Sequence, residues 1–417
     1  MGRIEARLQK IPIEPRLAAG EEEHLAGAAE PLRGARVLLV SPAPPEASDC
    51  GAALAASLAG LGLEAERGVL HGNGPFQAAG RDLADALRGA PWQLAEERWR
   101  DYREACEAAA IAADPRSYDA VLVHGAAAAP LIEGRRGGPT AWLWRTGQDL
   151  SAPDDAAQEA AAPLLDDYAS LAFGAPAFAL RGAAEGDPGA FPPAIDSPAG
   201  LHRDLEPAAA GALLRPLGVR LDRPLVCSLG RLDAWADPPA AIEAWRQARR
   251  EHPGLQLAIA GRLDPADPGA TEALDEARAF ADGEEDLLLL TDRGGAGDLE
   301  LNAVGRIARC AIHLPLGDEL DPGVSASLRR GTPVLGAGEG AAAQIEDGRD
   351  GHLVEGPEEC GERIAALVGD PGRSAAMGRA GRRRVLAQGG LAPRLAFELE
   401  SIGSSLGMRP QSVRAAA

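Results

Sequence analysis

The sequence predicts an α/β protein built as two Rossmann-like halves facing each other across a cleft. Three observations lead there. Short, continuous apolar runs recur with helical segments between them, as parallel strands covered on both faces require. The stretch 182–200, GAAEGDPGAFPPAIDSPAG, is too dense in Gly and Pro for regular structure and separates two such series. A chain of 417 residues also exceeds the roughly 100–200 of one typical domain.

Taken in order, residues 1–33 are charged and aperiodic and are expected to drape over the surface as an extension. ARVLLVS at 35–41 is the first strand and ends in a Pro-rich loop. An alanine-rich helix (51–61) and a second strand (64–70) follow, then strands at DAVLVH (119–124), TAWLW (140–144) and ASLAF (169–173). Beyond the linker a helix near 204–214 opens the second series. Its strands are expected at 224–229, 255–260, 287–291, 311–314 and 333–336, each followed by a helix. The domains are therefore placed at 34–200, with the linker 182–200, and at 201–385; a helix and tail occupy 386–417. In open α/β sheets ligands sit beyond the carboxyl ends of the strands, so the site is expected in the cleft. A dinucleotide reading is disfavoured, because no GxGxxG follows the first strand.

Composition narrows the function. Hydrophobic residues are 46% of the chain and aromatics only 4%, so the cores are expected to be aliphatic. The formal charge of -20 is spread along the chain, and a nucleic-acid binder needs a basic footprint. The one basic cluster, Arg379 to Arg384, falls on an expected surface helix. Five scattered cysteines with no CxxC pair argue against a disulfide framework or zinc site and for a reducing compartment. The N-terminus lacks the apolar core of a signal peptide, and no run approaches 18 apolar residues, so a cytoplasmic location is expected. No His/Asp/Glu group has metal-ligand spacing.

Four segments in the second half carry a family likeness: GRLDAWADP (230–238), GDLELNAVGRIA (297–308), RRGTPVLG (329–336) and QIEDGRDGHLV (344–354). In this order and spacing they resemble the retaining glycosyltransferases of family 4 with the GT-B architecture, and within it the trehalose synthases. GDLELNA is the most discriminating of them. VLVHGAAAAPLI (121–132), WLWRTGQDLS (142–151) and FPPAID (191–196) agree, so the resemblance covers about residues 35–400.

The resemblance implies transfer of glucose from a nucleoside-diphosphate glucose to glucose or a related acceptor, by front-face attack and without a dedicated metal or other cofactor. In the family an Arg and a Lys grip the diphosphate. Gly230 and Arg231 stand at the Arg position, but Ala236 stands at the Lys position. By analogy with a lost oxyanion donor, that change could cost about 2.7–4 kcal/mol of transition-state stabilisation. Of the family's paired glutamates, the first corresponds to Asp318 or, with a one-residue slip, Glu319; the second corresponds to Ala326. Backbone N–H groups of Gly323, Val324 and Ser325 are expected to meet phosphate, with Pro322 lacking one. On the acceptor side the implied contacts are His124, Arg145 and Asp149, with Arg231 and Asp149 the implied catalytic residues. A histidine expected after Arg145 is replaced at Thr146-Gly147, and a Gly-rich loop is replaced by the Pro-rich Pro42–Gly51.

Each has a plainer alternative. Arg231 could bridge surface carboxylates, Asp149 could cap the next helix, His124 could be a core residue, and Glu319 could be a solvated loop charge. His71, His313 and His352 read as isolated. The alternative function is a non-catalytic relative that serves as a binding or scaffold protein, which Ala236 and Ala326 favour. The expected partners are a nucleotide-sugar and a small sugar acceptor, with neither nucleic acid nor a membrane span; a homodimer is an open expectation.

Overall fold

A computed structural model describes residues 3–17, 21–43, 50–182, 189–194, 203–232, 235–263, 268–388 and 390–408. The chain divides into two compact units, Met1–Ala194 with Leu391–Ala417, and Ile195–Gly390.

Unit 1 holds strands β1 (Ala6–Ile11), β2 (Arg36–Pro42), β3 (Glu64–Gly72), β4 (Ala120–His124), β5 (Ala141–Thr146), β6 (Ser170–Phe173) and β7 (Gly189–Ala190). They form one sheet in the order β1-β3-β2-β4-β5-β6-β7, parallel except for β1. Successive strand residues point to opposite faces. Leu38, Val40, Val121, Val123, Trp142 and Trp144 fill one core. Their neighbours Val37, Leu39, Ala120, Leu122, Ala141 and Leu143 fill the other. Both faces are covered, which is why these strands read as unbroken apolar runs.

Unit 2 repeats the plan with β8 (Leu225–Arg231), β9 (Gln256–Arg262), β10 (Leu287–Thr291), β11 (Ala311–His313), β12 (Val334–Gly336) and β13 (Gly351–Leu353). Its order is β10-β9-β8-β11-β12-β13, all parallel. Val226, Leu257, Ile259, Ile312 and Leu335 lie in one core, and Leu225, Cys227, Ala258, Ala311 and Val334 in the other. Helices start where Asp side chains accept first-turn N–H groups, as Asp237 does from Ala240 (3.0 Å) and Asp370 from Arg373 (2.9 Å).

Three expectations need correction. Residues 1–33 are part of the fold. In β1 Ala6, Leu8 and Ile11 are partly buried, and the strand pairs antiparallel with β3. Leu25, Ala28, Ala29 and Leu32 are buried in the second core of unit 1. Next, the stretch expected to lack regular structure contains β7; residues 183–188 and 195–200 lie outside the described residues. Finally, the helix Ala392–Ser405 is no appendage of the second half, because Leu395, Leu399 and Ile402 pack into unit 1. No described helix is long and apolar enough to cross a membrane.

Candidate functional site

In unit 2 the chain runs from β8 outward through β9 and β10, then returns to the other side of β8 as β11. The carboxyl ends of β8 and β11 therefore flank a topological switch point, where open α/β sheets leave a crevice for ligands. A small, solvent-open pocket lies there. Its lining includes Gly230 from β8, Trp235 and Ala236 from the following loop, His313 from β11, and Glu319 and Asp321 from the loop beyond. The Leu316 amide donates to the Trp235 carbonyl (2.9 Å), tying the two loops together. Three positions singled out in the sequence, Gly230, Ala236 and Glu319, thus meet at one place, joined by Asp321 and by His313, which had read as isolated. Arg231 is the last residue of β8; its side chain lies outside those described.

Other expected donor contacts are committed within the protein. Asp318 accepts from the amides of Glu339 and Gly340, the latter at 3.1 Å, at the start of the short helix Glu339–Ala342. That close approach requires glycine. Gly338 has φ +89°, and a Cβ on Gly340 would stand 2.0 Å from the Glu319 carbonyl oxygen. Of the two readings of the first acid, Glu319 lines the pocket while Asp318 is a helix-end acceptor.

The phosphate-facing amides expected at Gly323–Ser325 open the helix Pro322–Arg330, and each already has an acceptor. Gly323 donates to Asp321 Oδ1 (2.6 Å), Val324 to the Asp321 carbonyl (3.2 Å), and Ser325 to Gln344 Oε1 (3.3 Å). Val324 and Ser325 are also buried. The expectation is corrected because a carboxylate of the chain itself caps this helix, where an anion is favoured. Ala326 is buried one residue further on.

The segments that carry the family likeness form the frame of this site. Asn302, from GDLELNA, accepts from Arg330 Nε (3.0 Å) and donates to the Arg203 carbonyl (2.6 Å). Burial lowers the Arg330 guanidinium pKa to about 10. Thr332 donates to the Gly305 carbonyl. Gln344, from QIEDG, accepts from Ser325 Oγ (2.7 Å) and donates to the Asp321 carbonyl (3.0 Å).

On the acceptor side, in unit 1, His124 ends β4 in register with Arg145 on β5. His124 is buried, its ring 6.1 Å from that of Phe191. Arg145 is corrected: it is wholly buried and donates from Nε to Glu398 Oε2 (3.1 Å) and from a terminal nitrogen to Ser401 Oγ (2.6 Å). Arg394 reaches the same carboxylate (2.7 Å). Burial raises the Glu398 pKa, but the two guanidiniums outweigh it and hold the carboxyl below its ordinary range. Asp149, half-buried, accepts from the Ser151 amide (2.9 Å). It does not cap the next helix; Asp154 does. The Pro-rich loop expected beside these residues lies outside the described ones at 44–49. Among the described residues no His/Cys/Asp/Glu group could hold a metal ion.

Comparison with known proteins agrees with the geometry. Residues 51–180 match the family model for the N-terminal domain of trehalose synthase. The trehalose synthase of Rubrobacter xylanophilus is 29% identical over 387 residues, which are 90% of this chain and 91% of the relative. That of Pyrococcus horikoshii is 27% identical over 330 residues, 79% of each chain. Two solved structures share the fold at 14% identity and TM-score 0.64. They are a Thermosynechococcus elongatus sucrose-phosphate synthase (89% of this chain, 99% of that one) and the E. coli trehalose-6-phosphate protein bound with UDP-2-fluoro glucose (96% and 99%). None of these relatives supports the non-catalytic alternative. With two doubly wound sheets, a pocket at the switch point of the second and this likeness along nearly its whole length, the chain is similar to the trehalose synthases and has the GT-B glycosyltransferase fold.

Proposed function

We propose that the chain transfers glucose, with retention, from a nucleoside-diphosphate glucose to glucose or a related sugar, and that it uses no dedicated metal. The observation that carries this reading is the switch-point pocket of unit 2, where Gly230, Trp235, Ala236 and Glu319 come together. In this reading Glu319, which lines the pocket, is the acid for the donor sugar, and Arg231 at the end of β8 the cation for the diphosphate. Front-face transfer asks for stabilisation of the leaving diphosphate rather than a protein nucleophile. Alanine at 236 therefore slows the reaction without abolishing it. On the acceptor side His124 and Asp149 are the remaining contacts, since Arg145 is occupied in the core.

The test is thermal-shift titration with ADP-, UDP-, GDP- and dTDP-glucose, followed by assay for trehalose and free nucleoside diphosphate. Donor at 100 times its dissociation constant stabilises the folded state by about 2.7 kcal/mol. A shift with one donor, with trehalose formed on adding glucose, supports the proposal. No shift with any donor at millimolar concentration sinks it.

A further inference from the structure

We infer that His313 contacts the diphosphate of the donor, a role that rests on the function proposed above. His313 ends β11, whose residue Ile312 is in register with Ser228 on β8, so His313 lies level with Leu229, one residue short of Gly230, at the switch point. It lines the pocket together with Ala236, at the position of the lost lysine. Nε2 is buried and has no hydrogen-bond partner in the protein. Nδ1 lies 3.8 Å from Asp321 Oδ2, and a Cβ on Gly230 would be 3.7 Å from that same oxygen. The ends of β8 and β11 and the start of the helix Pro322–Arg330 thus converge on this ring.

Charge decides which group of the ligand it meets. The other ionisable side chains described in the lining are Asp237, Glu319 and Asp321, all acidic. Asp237 and Asp321 are also engaged in capping helices. Helix-start amides that could have received phosphate are taken, and residue 236 offers no cation. Among the described side chains of the pocket, Ser228, Trp235 and His313 can donate to a phosphate oxygen, and His313 is the one with a buried polar atom that lacks a partner. A buried ring nitrogen without a partner is costly, and an accepting oxygen removes that cost. Nε2 is the nitrogen that meets the phosphate, while Nδ1 faces Asp321 Oδ2 at 3.8 Å, beyond hydrogen-bond distance.

The experiment measures binding of the nucleoside diphosphate and of the matching nucleoside by calorimetry, for the full chain and for His313→Gln. The expected result is a loss of about tenfold or more for the diphosphate and no change for the nucleoside. In the unaltered protein, the imidazole nitrogen resonance that disappears in the variant should move on adding diphosphate and stay in place with nucleoside. His313→Asn serves as a second variant if the first does not fold. Equal diphosphate affinity in variant and parent, or a resonance that does not move while diphosphate binds, overturns the inference and leaves the proposed function standing. Failure of the parent protein to bind any nucleoside diphosphate overturns both.

Discussion

Asp321 and Ala236 show how single residues set the character of the donor pocket. The carboxylate of Asp321 sits at a helix start and takes the Gly323 amide, while Ala236 leaves the opposite wall without charge. Ala236→Lys is expected to raise affinity for nucleoside diphosphate about tenfold, roughly 1.4 kcal/mol, checked by calorimetry. No gain from a folded variant would mean that residue 236 does not face the phosphates. Asp321→Ala is expected to cost about 1 kcal/mol through loss of the cap, read from chemical unfolding. At this scale the sequence pointed to Gly230 and, as the second of two readings, to Glu319, both of which line the pocket, because the motifs they fall in have fixed spacing. His313 was not legible. A lone histidine carries no spacing signal, and only the return of β11 to the flank of β8 gives it neighbours.

Among the elements, the helix Ala392–Ser405 carries the clearest energetic consequence. Its Arg394 and Glu398 join Arg145 of β5 in a buried charge cluster. Removing the central carboxylate leaves two guanidiniums without a counter-charge, so Glu398→Ala is expected to lose about 3–5 kcal/mol of stability. Glu398 has a folded pKa below its unfolded one. Its contribution is therefore complete above the unfolded value, about 4.3, and is lost as pH falls through the lower folded value. Unfolding of the parent and Glu398→Gln across pH 3–7 should show a stability gap that is constant above about pH 5 and narrows below it. A gap that does not change with pH would contradict this account. The sequence misplaces Arg145 because its neighbour in the chain suggests a site while its neighbour in space is a helix some 250 residues away. The first strand escaped for a related reason. It is only six residues long and its inward-outward alternation breaks at Lys10, yet pairing with β3 satisfies its backbone.

For the molecule as a whole, the C-terminal segment belongs to the N-terminal unit, and this has a testable consequence. A chain ending at Gly390 would uncover Leu39, Leu122 and Leu143, which share a core with Leu395, Leu399 and Ile402. Unit 1 is expected to lose cooperative unfolding in that truncation, while unit 2, with all the described lining of the donor pocket, keeps nucleotide binding. Tryptophan fluorescence of unfolding and calorimetry would show the two effects separately. By itself the sequence determined the two doubly wound sheets, their strands from Arg36 onward apart from β7, and the family likeness, because apolar period and glycine-proline punctuation are local in the chain. Tertiary structure alone decided which polar groups are spent on the fold and which face the pocket. Hydrogen bonds such as Gly323 to Asp321, Ser325 to Gln344 and Arg145 to Glu398 depend on which donor and acceptor meet in space, and no local pattern encodes that.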